Sequence, residues 1–376
     1  MGTGAVISGV GHSEYALKSK RTAAALMGDA LVDALSEAKL KKQDIDGLIV
    51  QGGVDYDVIG FDFGIEARYS LQTWAHGRMT GPAVMTAAAV VAAGLANHVL
   101  CIHARSGVTQ FGGHNDKESS REGGGAHGEV PYYGITAPGS GAALAWRRYT
   151  HLYNADPDAL RHVVVNQRRN ATLTPHAVLR DKPLDAAAYL KERVIIEPLR
   201  RADFALPNDG AVAVIVSRQS EAPDGIRVLG SQGMATGRSE AVFAMPGMGL
   251  AYQDGPWEYR PAPVYATAGI EPKDVDVLGI YDSFSSSIPI ELERYGHCPL
   301  GQAWSWMAND RMAPDGELPV NTAGGHIAET GMSGWNHVVE LYRQLRGQCG
   351  ARQVRHARVG QYISPNGCSI LLGAAP

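Results

Sequence analysis

The sequence is poor in cysteine and has no closely spaced pair of thiols. Its four cysteines are spread over 376 residues, at Cys101, Cys298, Cys349 and Cys368. Structural zinc sites and disulfide frameworks use closely and regularly spaced cysteines. We therefore expect neither a structural metal site nor a disulfide framework in this chain.

Long hydrophobic runs and an excess of positive charge are absent as well. The nearest candidate for a membrane span, residues 81–100, is interrupted by Gly94 and Asn97. The N-terminal residues lack the basic and apolar segments of a signal peptide. The net charge is -4 with histidine neutral, which gives no electrostatic footprint for nucleic acid. These absences predict a cytoplasmic protein that binds neither nucleic acid nor membrane.

An internal repeat is the most informative feature that is present. Residues 40–50 (LKKQDIDGLIV) resemble residues 270–280 (IEPKDVDVLGI), 230 positions later, with Asp, aliphatic and Asp in the same register. Each copy follows an Ala-rich segment of helical period and runs into a stretch typical of a buried strand. Helix–Asp–strand connections also recur by chance, but the fixed register favours a duplicated α/β fold.

The other elements are predicted from hydrophobic runs, with strands at residues 5–10, 98–103 and 210–217 and helices at 82–93 and 141–151. Residues 106–208 break the α/β rhythm with Gly-rich and polar runs, which predicts an inserted loop domain. A first half is expected over residues 1–225 and a second half over residues 226–376.

Three further segments resemble the sterol-carrier and lipid-transfer type of thiolase. Residues 145–151 (AWRRYTH) are similar to a run in the loop domain of that family. The P-L-r … D-G-A signature of the family resembles residues 198–200 and 208–211. Its N-x-x-G-G … E-L-x-R-Q-L-R-G signature resembles residues 321–325 and 339–347. The resemblance implies a layered α/β/α/β/α thiolase fold, a homodimeric core and an acyl-CoA substrate. Coenzyme A then enters as part of the substrate, and no separate cofactor is expected.

The catalytic positions of a thiolase are replaced in this chain. The resemblance places Gly77 at the nucleophilic cysteine and Gly331 at the histidine of the G-H-P motif. The H-D-C-F or N-E-A-F block of the family corresponds to residues 281–284 (YDSF), and Cys368 lies past the second cysteine loop. Thioester exchange needs a thiolate that accepts the acyl group. Thiolysis is therefore not expected.

Relatives without these cysteines include the steroid side-chain aldolases of the lipid-transfer type, which carry Tyr-Asp-His-Phe where this chain has residues 281–284. They cleave a β-hydroxyacyl-CoA by retro-aldol chemistry with a small OB-fold and zinc-ribbon partner, and their second active-site tyrosine falls at Gly331. The resemblance implies a carbon–carbon lyase for a bulky β-hydroxyacyl-CoA with a steroid or aromatic side chain, in a heterotetramer with such a partner. The alternatives are a non-cysteine acyltransferase or condensing enzyme, and a catalytically silent CoA-binding scaffold subunit.

Four residues are candidates for this chemistry, which needs a base for the hydroxyl proton and hydrogen-bond donors for the enolate. Tyr281 ends a predicted strand and is the candidate base, although a phenol with a reference pKa of about 10 must be activated. His326 is a candidate proton carrier or hydrogen-bond donor to the enolate; the alternative is a buried histidine whose hydrogen bonds are satisfied within the protein. Asp282 orients these side chains or caps a helix that begins near Ser285. His76 lies in the loop that replaces the cysteine.

Overall fold

The computed structural model describes residues 4–74, 77–107, 138–234, 262–364 and 367–375. Its strands are β1 (Ala5–His12), β2 (Gly47–Gln51), β3 (Tyr69–Thr73), β4 (His98–Arg105), β5 (Val194–Ile196), β6 (Leu199–Arg200), β7 (Gly210–Arg218), β8 (Ile226–Gln232), β9 (Val277–Ile280), β10 (Val359–Ile363) and β11 (Ser369–Gly373). Its helices are α1 (Ala23–Ala38), α2 (Tyr56–Phe63), α3 (Thr80–Ala92), α4 (Pro138–Tyr153), α5 (Leu160–Thr172), α6 (Ala186–Lys191), α7 (Pro263–Ala268), α8 (Ser287–Arg294), α9 (Ala303–Trp306), α10 (Gly325–Ala328) and α11 (Trp335–Leu345). None of these helices is long and apolar enough to cross a membrane.

Nine of the described strands form one mixed sheet in the order β3-β2-β4-β7-β1-β8-β11-β10-β9. A short antiparallel contact between β1 and β8 lies at its centre. On each side of that contact, two antiparallel pairings are followed by a parallel one, so β2 and β9 take equivalent places. Val320 forms a parallel bridge to Leu278 on the outer side of β9. In the same way, β3 pairs in parallel with the outer side of β2. This symmetry supports the predicted duplication, and the division at residue 225 stays a prediction.

The two copies of the sequence repeat make the same hydrogen bonds. The Asp46 carboxylate accepts the backbone N–H groups of Asn97 at 2.8 Å and His98 at 2.9 Å, at the start of β4. The Asp276 carboxylate accepts the backbone N–H groups of Arg358 at 2.7 Å and of the following residue at 2.8 Å, at the start of β10. Each aspartate therefore ties the loop before its own strand to the start of the neighbouring parallel strand.

Helices cover both faces of the first-half strands. Leu100 and Ile102 of β4 pack in the core cluster that contains α1, whereas Val99 and Cys101 pack in the cluster that contains α3 and α11. This alternation follows from the two-residue period of a strand. The small apolar side chains of α3 are buried on most sides, as the sequence predicted for this helix. The result is the expected layered α/β fold, with α3 and α11 in its interior.

The segment between β4 and β7 packs over the second half of the chain. Trp146 and Tyr149 of α4 belong to the same apolar cluster as Tyr281 and Phe284. On α5, the Asn170 side-chain amide donates to the carbonyl of Asn321 at 3.2 Å. These contacts hold α4 and α5 against the segments that follow β9, where the candidate site residues meet.

Candidate active site

Tyr281 directly follows β9, at the edge of the sheet where parallel strands end. Its N–H donates to the carbonyl of Ile363 at the end of β10, at 2.9 Å. The Asn321 side chain accepts the N–H of Ile280 at 2.8 Å and donates to the Ile280 carbonyl at 2.9 Å. The backbone on which Tyr281 stands is therefore held by a neighbouring strand and by the loop that begins at Asn321.

The Tyr281 side chain reaches the N-terminal end of α3. Gly77 begins the short 77–79 turn that leads into that helix. A Cβ atom at Gly77 would overlap the ring edge and the hydroxyl of Tyr281, which is only 7% exposed. The phenol thus fills the space next to the position that the sequence assigned to the thiolase nucleophile. The neighbouring candidate, His76, lies outside the described residues.

Opposing influences act on the Tyr281 hydroxyl. Burial raises the pKa of Tyr281 above its ordinary value, while a hydrogen bond with Ser283 and the positive charges of Arg105 and Arg78 lower it. The side chain of Arg105 is held in place by donation to the Gly331 carbonyl at 3.0 Å. The resting phenol is therefore neutral, and it lies beside two cations that favour its phenolate form.

His326 packs edge-on against Tyr281, with 4.5 Å between the ring centroids. Its Nε2 accepts the backbone N–H of Gly334 at 2.8 Å, and its Nδ1 lies 3.4 Å from Oδ1 of Asp282. Burial lowers the pKa of His326 well below its ordinary value, so the ring is neutral and carries its proton on Nδ1. Because both ring nitrogens face protein groups, the geometry gives His326 a positioning role beside Tyr281.

Asp282 is completely buried and caps a helix other than the predicted one. Its carboxylate accepts the N–H groups of His326 at 2.9 Å and Ile327 at 3.4 Å, in the first turn of α10. The helix expected near Ser285 begins at Ser287 and has no side-chain cap, so that part of the prediction is wrong. The carboxylate points instead at α10, whose first N–H groups have no partner within the helix and offer hydrogen bonds and a favourable dipole.

His337, in the first turn of α11, completes this buried group. Its Nε2 lies 3.0 Å from Oδ1 of Asp282, and its ring centroid lies 4.6 Å from that of His326. Burial raises the pKa of Asp282, and the hydrogen bond with His337 acts in the opposite direction. No spacing motif links positions 282 and 337, because the two residues lie 55 positions apart on a strand end and a helix.

One carboxylate and two imidazoles at this spacing resemble a metal-binding set, since their ligand atoms lie within 4.8 Å of one another. A histidine that binds a metal through one nitrogen usually donates a proton from the other. Nε2 of His326 instead accepts the Gly334 N–H, so a metal on Nδ1 would require an imidazolate or the loss of that hydrogen bond. Asp282, His326 and His337 therefore fit a hydrogen-bonded network better than a metal centre.

The other positions of thiolase catalytic groups are also closed. The Gly331 N–H donates to Oδ1 of Asn208 at 2.6 Å, and a Cβ atom at Gly331 would overlap the carbonyl of Leu206. Cys368 is buried with its Sγ 3.9 Å from Sδ of Met85, and burial raises the pKa of its thiol to about 12. Neither position offers a free histidine or a thiolate.

The fold and site define a thiolase-like protein in which a phenol lies beside Gly77, the position that the sequence resemblance assigned to the nucleophilic cysteine. Residues 261–369 match the family described as Thiolase C-terminal domain-like. The chain is 31% identical over 363 residues to the 17-hydroxy-3-oxo-4-pregnene-20-carboxyl-CoA lyase of Mycobacterium tuberculosis, covering 91% of this chain and 92% of the relative. It is 28% identical over 366 residues to a steroid side-chain-cleaving aldolase of Thermomonospora curvata, covering 91% of this chain and 90% of that relative.

Solved structures agree with these relatives. The Ltp2-ChsH2(DUF35) aldolase, at 25% sequence identity, superposes with a TM-score of 0.86 over 100% of this chain and 98% of that chain. Human mitochondrial 3-ketoacyl-CoA thiolase shares the fold, with a TM-score of 0.67 at 14% identity over 99% of both chains. The chain belongs to the thiolase superfamily, within the lipid-transfer type of aldolase.

Proposed function

We propose that this protein is a carbon–carbon lyase that cleaves a bulky β-hydroxyacyl-CoA, with a steroid or aromatic side chain, by a retro-aldol reaction. The observation that carries the proposal is the Tyr281 hydroxyl beside Gly77, which puts a proton-transfer group where a thiolase has its nucleophile. The relatives from Mycobacterium tuberculosis and Thermomonospora curvata, a CoA lyase and a steroid side-chain-cleaving aldolase, support this reaction class.

The reaction needs one proton acceptor and no covalent intermediate. The phenolate oxygen of Tyr281 takes the proton of the β-hydroxyl group, and the bond between Cα and Cβ breaks as Cβ becomes a ketone or aldehyde. The electron pair of that bond moves to the thioester as an enolate, which takes up a proton at Cα to give the shortened acyl-CoA. Arg105 and Arg78 lower the pKa of Tyr281 and so favour its phenolate form.

The buried network behind Tyr281 fixes the base in place. His326 contacts the Tyr281 ring edge-on, and Asp282 holds the backbone of His326 and the side chain of His337. We assign positioning roles to these three residues, because their polar atoms are directed at each other and at backbone amides. A site held by packed, hydrogen-bonded neighbours keeps the reacting oxygen within a narrow range of positions.

We further propose that the protein works in the cytoplasm as a homodimer, joined by a small OB-fold and zinc-ribbon partner in a heterotetramer. Strand β3 supports the dimer, because among the described strands it pairs on one side only, with β2. The side chains of Phe61 and Trp74 near this edge are 88% and 53% exposed. The name of the solved relative, Ltp2-ChsH2(DUF35) aldolase, joins two components and supports the partner. Light scattering that finds an active monomer would overturn the assembly.

The test of the reaction is direct. The purified protein, alone and co-expressed with its small partner, is incubated with a synthetic steroid β-hydroxyacyl-CoA, and the ketone and the shortened acyl-CoA are measured by mass spectrometry. Equal amounts of both products support the retro-aldol reaction. Products that form only when free coenzyme A is added would indicate an acyltransferase. Binding of the CoA ester without turnover in either preparation would indicate a scaffold subunit.

A further inference from the structure

A second tyrosine, Tyr362, lies near Tyr281. Tyr362 stands near the C-terminal end of β10, the parallel neighbour of β9, and pairs in register with Gly279. A Cβ atom at Gly334 would overlap the Tyr362 hydroxyl and would lie 3.3 Å from Cδ2 of Tyr281. The side chains of Tyr281 and Tyr362 therefore both lie beside the backbone of Gly334, whose N–H donates to His326.

The Tyr362 hydroxyl is buried without being satisfied. The side chain is 0% exposed, and its oxygen has no hydrogen-bond partner among the described residues. The hydroxyl of Ser364, two residues further along the same strand end, lies near enough to lower the pKa of Tyr362, but the two hydroxyls form no hydrogen bond of normal geometry. Because a buried hydroxyl without a partner destabilises the folded protein, such a group needs an explanation. A ligand oxygen at this point would provide the missing acceptor.

The electrostatic surroundings keep the Tyr362 hydroxyl protonated. Burial raises its pKa well above the ordinary value, and the thiol of Cys368, the phenol of Tyr281 and the carboxylate of Asp282 raise it further, while the hydroxyl of Ser364 acts in the opposite direction. Tyr281 differs, because the charges of Arg105 and Arg78 lower its pKa. Nearby positive charges thus oppose the effect of burial at Tyr281, whereas the surroundings of Tyr362 keep it as a hydrogen-bond donor.

We propose that Tyr362 is a further catalytic residue, whose hydroxyl donates a hydrogen bond to the thioester oxygen of the substrate as the enolate forms. This inference rests on the proposed retro-aldol function. When the bond between Cα and Cβ breaks, its electron pair moves to the thioester oxygen, and the Tyr362 O–H stabilises the charge without giving up its proton. The proton of the β-hydroxyl goes to Tyr281, and a separate proton from solvent reaches Cα. A donor that is already in position stabilises such a charge with little reorganisation.

The test compares Tyr362→Phe with wild type and with a matched control. Removing one such donor commonly slows an enzyme about 100-fold or more, so kcat should fall by about that factor with little change in KM. The melting temperature should stay equal or rise, because the variant removes an unsatisfied hydroxyl. Tyr342→Phe is the control, since the Tyr342 hydroxyl donates to Oε1 of Glu37 at 3.0 Å. That variant should keep its activity and lose some thermal stability.

A second measurement separates the roles of the two tyrosines. Exchange of solvent deuterium into Cα of the product acyl-CoA passes through the enolate but does not involve the β-hydroxyl. Tyr362→Phe should slow this exchange, whereas Tyr281→Phe should leave it near the wild-type rate. Equal effects of the two variants on exchange would overturn the role given to Tyr362.

The remaining outcomes distinguish this inference from the function on which it rests. A wild-type protein that does not cleave the substrate removes the proposed function and this inference with it. An active wild type together with a Tyr362→Phe variant within about threefold of its kcat, well below the loss expected for a lost donor, overturns only the role of Tyr362. A clear loss of thermal stability in Tyr362→Phe would also count against it, because the hydroxyl would then have a partner in the protein.

Discussion

The hydroxyl of Tyr281 lies where a side chain at residue 77 would have to be. The two positions are about 200 residues apart in the sequence, on a turn before α3 and at the end of β9. With the backbone in this arrangement, a cysteine at position 77 and the present rotamer of Tyr281 exclude each other. Tyr281 therefore occupies the space that a side chain at position 77 would need, which makes Tyr281 the first residue to test.

Replacing Tyr281 by Phe should remove the proton-transfer group and keep the ring. Because general acid–base groups commonly contribute 100- to 10,000-fold, we expect a rate loss on the order of that range. Packing is preserved, so the melting temperature should change little. Rates of β-hydroxyacyl-CoA cleavage and thermal melts of the same preparations provide the measurement. Cleavage within about threefold of wild type, well below that range, would remove Tyr281 from the mechanism.

Adding a methyl group at Gly77 should displace Tyr281. Gly77→Ala should destabilise the protein by about 1–3 kcal/mol, the usual cost of overpacking, and should reduce activity. In a Tyr281→Ala background the same substitution should lower the free energy of unfolding clearly less, because the space beside residue 77 is then free. Urea unfolding of the four proteins of this double-mutant cycle measures the coupling. Equal costs in the two backgrounds would show that the two side chains do not compete for one space.

Activity should rise with pH across the neutral range. The pKa of Tyr281 lies above its ordinary value of 10.0, mainly because of burial, and the base acts in its deprotonated form. Below that pKa the phenolate fraction grows about tenfold per pH unit, so kcat/KM should increase between about pH 6 and 9. Tyr281→Phe should lose this slope. A profile that falls toward alkaline pH would contradict a tyrosine base.

No cysteine should become acylated during turnover. All four thiols are buried, and burial raises the pKa of each, which leaves little thiolate to attack a thioester. Intact-protein mass spectrometry after incubation with acyl-CoA should therefore find the unmodified mass. A stable acyl adduct on any cysteine would restore a thiolase-type mechanism.

The two repeat aspartates should contribute similarly to stability. Asp46→Ala and Asp276→Ala each leave two backbone N–H groups without their carboxylate partner, so each should cost about 1–3 kcal/mol. Glu271→Ala is a suitable control, because its side chain forms an exposed ion pair with Lys273, and the free energy of unfolding should change little. Denaturant unfolding compares the three variants. A large cost at one aspartate alone would argue against equivalent roles in the two halves.

Much of the architecture could be predicted from local patterns. The strand predicted at residues 98–103 is observed at His98–Arg105, and the helix predicted at 82–93 is observed at Thr80–Ala92. The spacing of hydrophobic residues in such segments indicates both the type of secondary structure and the side chains that are buried. The comparisons confirm the predicted fold, family and aldolase class. The inserted loop domain and the two-half division stay predictions.

The site could be predicted only in part. Tyr281, Asp282 and His326 do come together, but the sequence placed the cap of Asp282 on the wrong helix and gave no role to His337. His76 lies outside the described residues and stays a candidate. A capping preference depends on which amide groups reach the carboxylate, and here those groups belong to a turn 44 residues further along the chain.

The sequence by itself determined much of the secondary structure, the repeat and the absence of a thiol at position 77, because each can be found from the order of residues along the chain. Only the tertiary structure decided that Tyr281 fills the space beside Gly77, that both nitrogens of His326 have protein partners, and that the Tyr362 hydroxyl has none among the described residues. Such contacts depend on strand register, on helix position and on side-chain rotamers, which no local spacing of residues records.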